Sequence, residues 1–432
     1  MHKNILTVVG ITILFLGMSI TPSVAVDTIV QSSMTISNGN ILYVGGTGEG
    51  NYTRIQDAVI DANNGDTVFV FDETSPYYEH IRINKSINLI GEDKNTTIIN
   101  GNDNGIVVNV SSNFVNLTGF TVRNSAYIGV YVVDSKFCRI SGNIIKYHIN
   151  ENNVANGITL KNSSYITLSN NIITDCNTGI FLWYWNNNCS VSENFITNNS
   201  KGIEIWDVVH CNISLNKIIN NSHSGIFGSL GIWSNGPNYN KIYENTIIDN
   251  GWHGIELIYG DYNYITNNYI AQTNFSISKR QGYSGITLYH GANNNNISWN
   301  TISNEWVAIH LSDSYNNTIY MNNITNCIYG IIIENEINQS FFKINSINGR
   351  QNYVIRNNFI RVLFPARNLF RSPKLYSNNY WEGNYWGRSR SLPKIIFGFF
   401  KIISELRYWG IPTKIQFDWH PAKEPYDIEG VI

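Results

Sequence analysis

Two glutamates and two histidines have the chemistry for proton transfer in this chain: Glu204, Glu256, His253 and His310. Both glutamates stand second after a glycine, in GIEIW at 202–206 and GIELI at 254–258. His310 takes the same place in AIHLS at 308–312, and His253 directly precedes Gly254. Large rings share these positions. Tyr131, Phe181 and Trp233 are second after a glycine; Trp183, Trp206 and Tyr289 are fourth. Carboxylates flanked by rings suit a polysaccharide, because ring faces stack on sugar C–H surfaces and carboxylates bond hydroxyls. A carboxylate pair can also act as acid and base across a glycosidic bond.

These residues recur because the segment that carries them recurs. The opening run returns as GVYVV (129–133), GITLK (157–161), GIFLW (179–183), GIWSN (231–235), GITLY (285–289) and GIIIE (330–334). Fourteen or fifteen residues after each opening comes an asparagine: Asn143, Asn171, Asn194, Asn216, Asn245, Asn268, Asn300, Asn322 and Asn345. A unit of this length, rich in Ile, Val, Tyr, Thr and Asn and alternating within each run, predicts a solenoid of short parallel strands. Rungs then stack at about 4.8 Å. The first and third residues after each glycine, such as Ile203 and Ile205, should face the core. The second and fourth should face water. Glu204 and Glu256 would lie two rungs apart, roughly 10 Å between backbones, close enough for carboxyl separations of about 6.5–9.5 Å. Long corners are expected at 147–156, 220–230 and 272–284. A second in-register column holds Cys138, Cys189 and Cys211, then Asn240, Asn263, Asn295 and Asn317.

The chain resembles the right-handed β-helix proteins of the pectin-lyase-like superfamily, in particular the NosD-like, carbohydrate-binding and sugar-hydrolysis (CASH) type. The repeats carry that resemblance. So do the opening YVGGTGEGNYTRIQDAVIDANNGDTVFVF at 43–71 and the closing NYWEGNYWG (379–387) and FDWHPAKEPYDI (417–428), which are similar to archaeal surface proteins. It implies an all-β chain: a right-handed parallel β-helix solenoid with an N-terminal capping helix and an irregular C-terminal cap. It implies no single activity, since one fold hosts many. The clustered aspartates and arginine of a pectate-lyase-like site are absent from the outward columns. Tyr259-Gly260-Asp261 resembles an alginate-epimerase motif only over those three residues. NosD-like proteins serve copper enzymes, yet the nine histidines and four methionines are scattered. No metal or other cofactor is expected.

The domain reading is a signal peptide at 1–25, an N-terminal cap with first coils at 26–100, β-helix repeats at 101–360 and a C-terminal cap at 361–432. Lys3, the apolar stretch Ile5–Ile20 and Ser23-Val24-Ala25 form the signal pattern. Secretion or display at the cell surface follows, with no transmembrane span after signal removal. In the cap, Thr53 and Gln56 make a capping-box pattern ahead of an apolar face of Ile55, Ala58, Val59 and Ala62. Cys189 and Cys211 on adjacent rungs are either a disulfide or small buried spacers. Trp381, Tyr385, Trp386 and Trp419 are expected to seal the last rung. The stretch Ile395–Ile403 should form a helix or strand against the solenoid end.

A net charge of −2 with only 14% charged residues argues against a nucleic-acid or anionic-membrane partner bound by bulk charge. The expected partner is a polysaccharide or cell-surface glycan, bound by a monomer along the ring-bearing sheet. The enzyme alternative is a glycan hydrolase, lyase or epimerase using Glu204 and Glu256 with His310 or His253. Further alternatives are a structural envelope protein and a NosD-like accessory of copper maturation.

Overall fold

Isoleucine sets the core. Ile158, Ile180, Ile203, Ile226, Ile255, Ile286, Ile309 and Ile331 pair in parallel register from rung to rung, and each is 0% exposed. Burying each such side chain contributes roughly 1.5–3 kcal/mol, and the column is one of several that line the core. The computed structural model describes residues 39–146, 155–230, 236–273, 282–335, 351–370, 378–400 and 411–428. The segment 1–25, Trp233 and Asn345 lie outside them.

Each coil has three strands, as in Lys201–Trp206, Asn212–Ser214 and Lys217–Ile219. Each strand pairs in parallel with its counterparts one coil before and one after. The third strands form a separate 12-stranded sheet. The first and second stacks merge into one 28-stranded sheet through an antiparallel hairpin, Lys394–Phe400 with Ile411–Asp418. This is the right-handed parallel β-helix expected from the repeat. The opening glycines are required by close approach. A Cβ at Gly202 would stand 2.4 Å from the Gly225 carbonyl oxygen and 2.6 Å from an Ile218 methyl.

One expected coil is out of place. The rung between Glu204 and Glu256 is Ile226–Ser229, with Phe227 in their column, not the GIWSN run. Gly225 follows Asn216 by nine residues, the short corner of the regular coils. The insertion therefore falls after this strand, between Ser229 and Lys241, rather than at 220–230.

The asparagines form a polar ladder inside the turns. Asn143 donates its backbone N–H and its Nδ2 to Oδ1 of Asn171, at 3.0 and 3.2 Å. The same double donation runs through Asn194, Asn216, Asn245, Asn268, Asn300, Asn322, Asn357 and Asn384. Asn357, not Asn345, continues the ladder. The second column likewise links Cys211, Asn240, Asn263, Asn295, Asn317, Asn352 and Asn379. Buried amides are tolerated here because their donors and acceptors find partners.

Both ends differ from expectation in detail. The helix Ile55–Asp61 has Arg54 at its N-cap with no side-chain cap bond, so the Thr53–Gln56 box does not form. Glu79 supplies the cap instead, accepting from the amides of Ile55 (2.8 Å) and Gln56 (3.0 Å). A carboxylate there also complements the helix dipole. At the other end Trp381 and Trp386 are buried and Tyr385 half-buried, but Trp419 is 60% exposed. All five cysteines are free thiols, 0–3% exposed, so Cys189 and Cys211 are buried spacers here: the Cys189 amide donates to the Cys211 sulfur at 3.2 Å.

Candidate functional site

The outer face of the first-strand stack carries the chemistry, and pairing interrupted at the opening glycine shapes it. Thr178 pairs with Lys201 and Ile180 with Ile203, with no pairing at Gly179 and Gly202 between them. The residue before the glycine reaches the second residue after the glycine on the next rung. Thr178 Oγ1 donates to Glu204 Oε2 at 3.1 Å. Lys201 Nζ lies 5.0 Å from the centre of the Phe227 ring. Ser224 Oγ donates to Glu256 Oε2 at 2.9 Å. Thr287 Oγ1 and His253 Nδ1 are 3.1 Å apart. Four diagonal contacts, polar or cation–π, thus lace five successive rungs.

The face is shared as expected, but its even positions do not all face water. Glu204, Glu256, His253 and His310 are 4, 8, 5 and 4% exposed. In-register stacking places a neighbour above and below each side chain, and the diagonal contacts cover much of what remains. Tyr131, Phe181, Trp183, Trp206 and Tyr289 are half-buried. Their rings pack on one another: Phe181 with Trp183 at 5.9 Å and edge-on to Trp206 at 5.4 Å. Lys161 Nζ sits 4.7 Å above Trp183. Tyr289 is edge-on to His253 and His310.

The carboxylates sit in unlike surroundings. Glu204 pairs with Lys201 Nζ at 2.6 Å and accepts from Thr178. Burial raises the Glu256 carboxyl above the usual range, against the smaller lowering effects of Ser224 and Lys201. His253 Nδ1 accepts the Ser284 amide at 3.0 Å, which leaves the ring hydrogen on Nε2. His310 Nε2 lies 3.3 Å from Glu334 Oε2.

Beside this lacing the surface opens into a cleft of about 270 Å³, lined by Lys201, His223, Ser224, Phe227 and Trp252. Trp252 is 43% exposed, tilted against His223 at 4.4 Å and parallel to Tyr283 at 6.0 Å. Sequence reasoning missed all five lining residues. Lys201 and Ser224 stand one residue before their glycines and Trp252 two before Gly254, an approach from which only His253 had been singled out; Phe227 lies in the strand that was misplaced. Lys201 and Ser224 touch Glu204 and Glu256, so the cleft adjoins both expected carboxylates. A ring face, an ammonium and an imidazole around one opening can hold a sugar by stacking and hydrogen bonds.

Residues 59–229 and 151–290 match the family model described as "Periplasmic copper-binding protein (NosD)", and 230–386 match "Right handed beta helix region". No curated protein matches the chain. Among solved structures, the chain is similar to the mannuronan C-5 epimerase AlgE6 A-module of Azotobacter vinelandii. Identity is 16% and the TM-score 0.56, over 77% of this chain and 93% of that one. The Dettilon tailspike protein matches at 16% identity and a TM-score of 0.56, over 83% and 73%. A DFA-IIIase variant from Arthrobacter chlorophenolicus, in complex with DFA-III, matches at 12% and 0.52, over 82% and 100%. At these identities the likeness is one of fold.

Proposed function

We propose, from the premise that this chain belongs to the NosD family of right-handed β-helix proteins, that it binds polysaccharide outside the cytoplasm, in the cleft beside Trp252. The observation that carries the reading is the exposed Trp252 ring at an opening lined by Lys201, His223 and Ser224. Sugar-related names among the similar structures, a mannuronan epimerase and a DFA-IIIase, support a carbohydrate role in general terms. Among the described residues no helix is long and apolar enough to cross a membrane.

The family description names copper, and the described residues do not fit a copper site. Among the described residues no three His, Cys, Asp or Glu side chains converge. The thiols are buried in the turn ladders, and His253 Nδ1 already accepts a backbone amide. Copper sites need clustered soft or imidazole donors with free lone pairs.

Affinity electrophoresis on a panel of neutral and acidic glycans tests the proposal. At least one glycan should retard the wild type, and Trp252→Ala should remove about tenfold or more of that affinity, the worth of one stacked ring. Retardation by none, or an unchanged Trp252→Ala, overturns it.

The unequal carboxylates favour a second reading, glycan cleavage with Glu256 as acid and Glu204 as base. Reducing-end and unsaturated-product assays on the retained glycan decide it. Turnover lost in both Glu204→Gln and Glu256→Gln supports it; no wild-type turnover ends it.

A further inference from the structure

The cleft beside Trp252 has a cation in its wall, but that cation is already engaged. Among the described residues Lys201 is the one ammonium in the lining, and no arginine lines it. Lys201 Nζ sits 2.6 Å from Glu204 Oε1 and 5.0 Å from the centre of the Phe227 ring. A carboxylate and a ring face thus already answer its charge.

A second acid stands behind the same wall. Ser224, also in the lining, donates to Glu256 Oε2 at 2.9 Å. Glu204 and Glu256 are both buried, where water screens a charge poorly. Burial raises the Glu256 carboxyl, while Ser224 and Lys201 lower it, so the single ammonium acts on both acids. With Glu256 protonated, Lys201, Glu204 and Glu256 sum to zero charge. With Glu256 ionised they sum to a negative charge.

We propose, given that the cleft holds a glycan, that its ligand is an uncharged polysaccharide and that Glu204 and Glu256 exclude uronate polymers. A sugar carboxylate is an acceptor-only anion. In the cleft it would stand before two buried acids and find the ammonium taken. Like charges brought together away from water repel. A sugar hydroxyl both donates and accepts. It can take a remaining Lys201 N–H and bond the His223 ring, while the sugar C–H face stacks on Trp252. Selectivity then comes from repulsion of the wrong ligand as well as contact with the right one.

Affinity electrophoresis at about pH 8, which leaves free imidazole uncharged, tests this with galactomannan and β-glucan against polygalacturonate and mannuronan. At least one uncharged polymer should bind the wild type about tenfold or more tighter than either uronate polymer. Salt at about 0.5 M should leave that binding unchanged. Glu204→Gln keeps an acceptor for Thr178 and releases Lys201, so uronate affinity should rise about fivefold or more. Thermal melts verify folding; Glu256→Gln, with the same expected gain, decides if Glu204→Gln does not fold. A wild-type preference for a uronate polymer overturns the exclusion. If Trp252→Ala also removes that binding, the cleft remains the glycan site and only its charge selectivity falls. A folded variant with no gain in uronate binding overturns the exclusion too. Retardation by no polymer ends the glycan site and the exclusion together.

Discussion

Asn384 gives both its backbone N–H and its Nδ2 to one oxygen of Asp418, at 2.9 and 3.1 Å. The asparagine ladder thus ends on a carboxylate. The same group accepts from the Gly383 amide at 3.1 Å and from Trp386 Nε1 at 3.0 Å. Asp418 is 0% exposed, so these protein donors take the place of water around its carboxyl oxygens. Every amide of the ladder points the same way, and an acceptor-only group is what its last donors require.

Replacing Asp418 with alanine strands four donors. The variant should lose on the order of 3–5 kcal/mol in urea unfolding, and Asp418→Asn less, since one acceptor oxygen remains. Hydrogen exchange should rise first in the last coils, because solenoid stability is local. Uniform protection in Asp418→Ala would show that the ladder end is dispensable.

The helix cap separates the two candidate residues. Glu79→Ala should cost about 1–2 kcal/mol and speed exchange at Ile55 and Gln56, the scale of a lost N-cap. Thr53→Ala should be near neutral. A reversed ranking in chemical denaturation would restore the local capping box.

Glu256 makes stability depend on pH. Its folded carboxyl holds a proton more tightly than an unfolded glutamate, chiefly because it is buried. The folded state then binds more protons, so stability is greatest at low pH. It falls as pH rises from the ordinary glutamate range through the folded value. Glu256→Gln keeps an acceptor for Ser224 and has no such loss. Its melting temperature should draw ahead of wild type between acid and neutral pH; a constant gap refutes the assignment.

The thiols should be inert in the folded protein. Burial raises Cys138 to about 11 and Cys327 to about 12, and all five are 0–3% exposed. Iodoacetamide at mildly alkaline pH should label none until denaturant is added, because only accessible thiolate reacts. Native labelling would show that the turns open.

Much of the fold was legible because a solenoid repeats one local rule. Glycine, alternating isoleucine and asparagine recur at spacings that only a stack of like coils satisfies. Ile203 and Ile255 could be placed inside, and Asn216 in a turn, from the sequence. The coil at Ile226 was misplaced because GIFGS and GIWSN obey the same local pattern. Only cross-rung pairing with Ile203 and Ile255 distinguishes them. Glu79 at the helix start is 24 residues from the amide it caps, so no local pattern reveals it.

The site divides along the same line. Period-two alternation determined by itself that Glu204, Glu256 and His310 share an outer face. How much water reaches that face is a property of neighbouring rungs. Tertiary structure decided that Thr178, Ser224 and Lys201 close over the carboxylates, and that the opening lies beside Trp252. Direction is set within a strand by covalent geometry, whereas burial is set mainly by side chains more than twenty residues away, such as Thr178 over Glu204 and Ser224 over Glu256, that only stacking brings near.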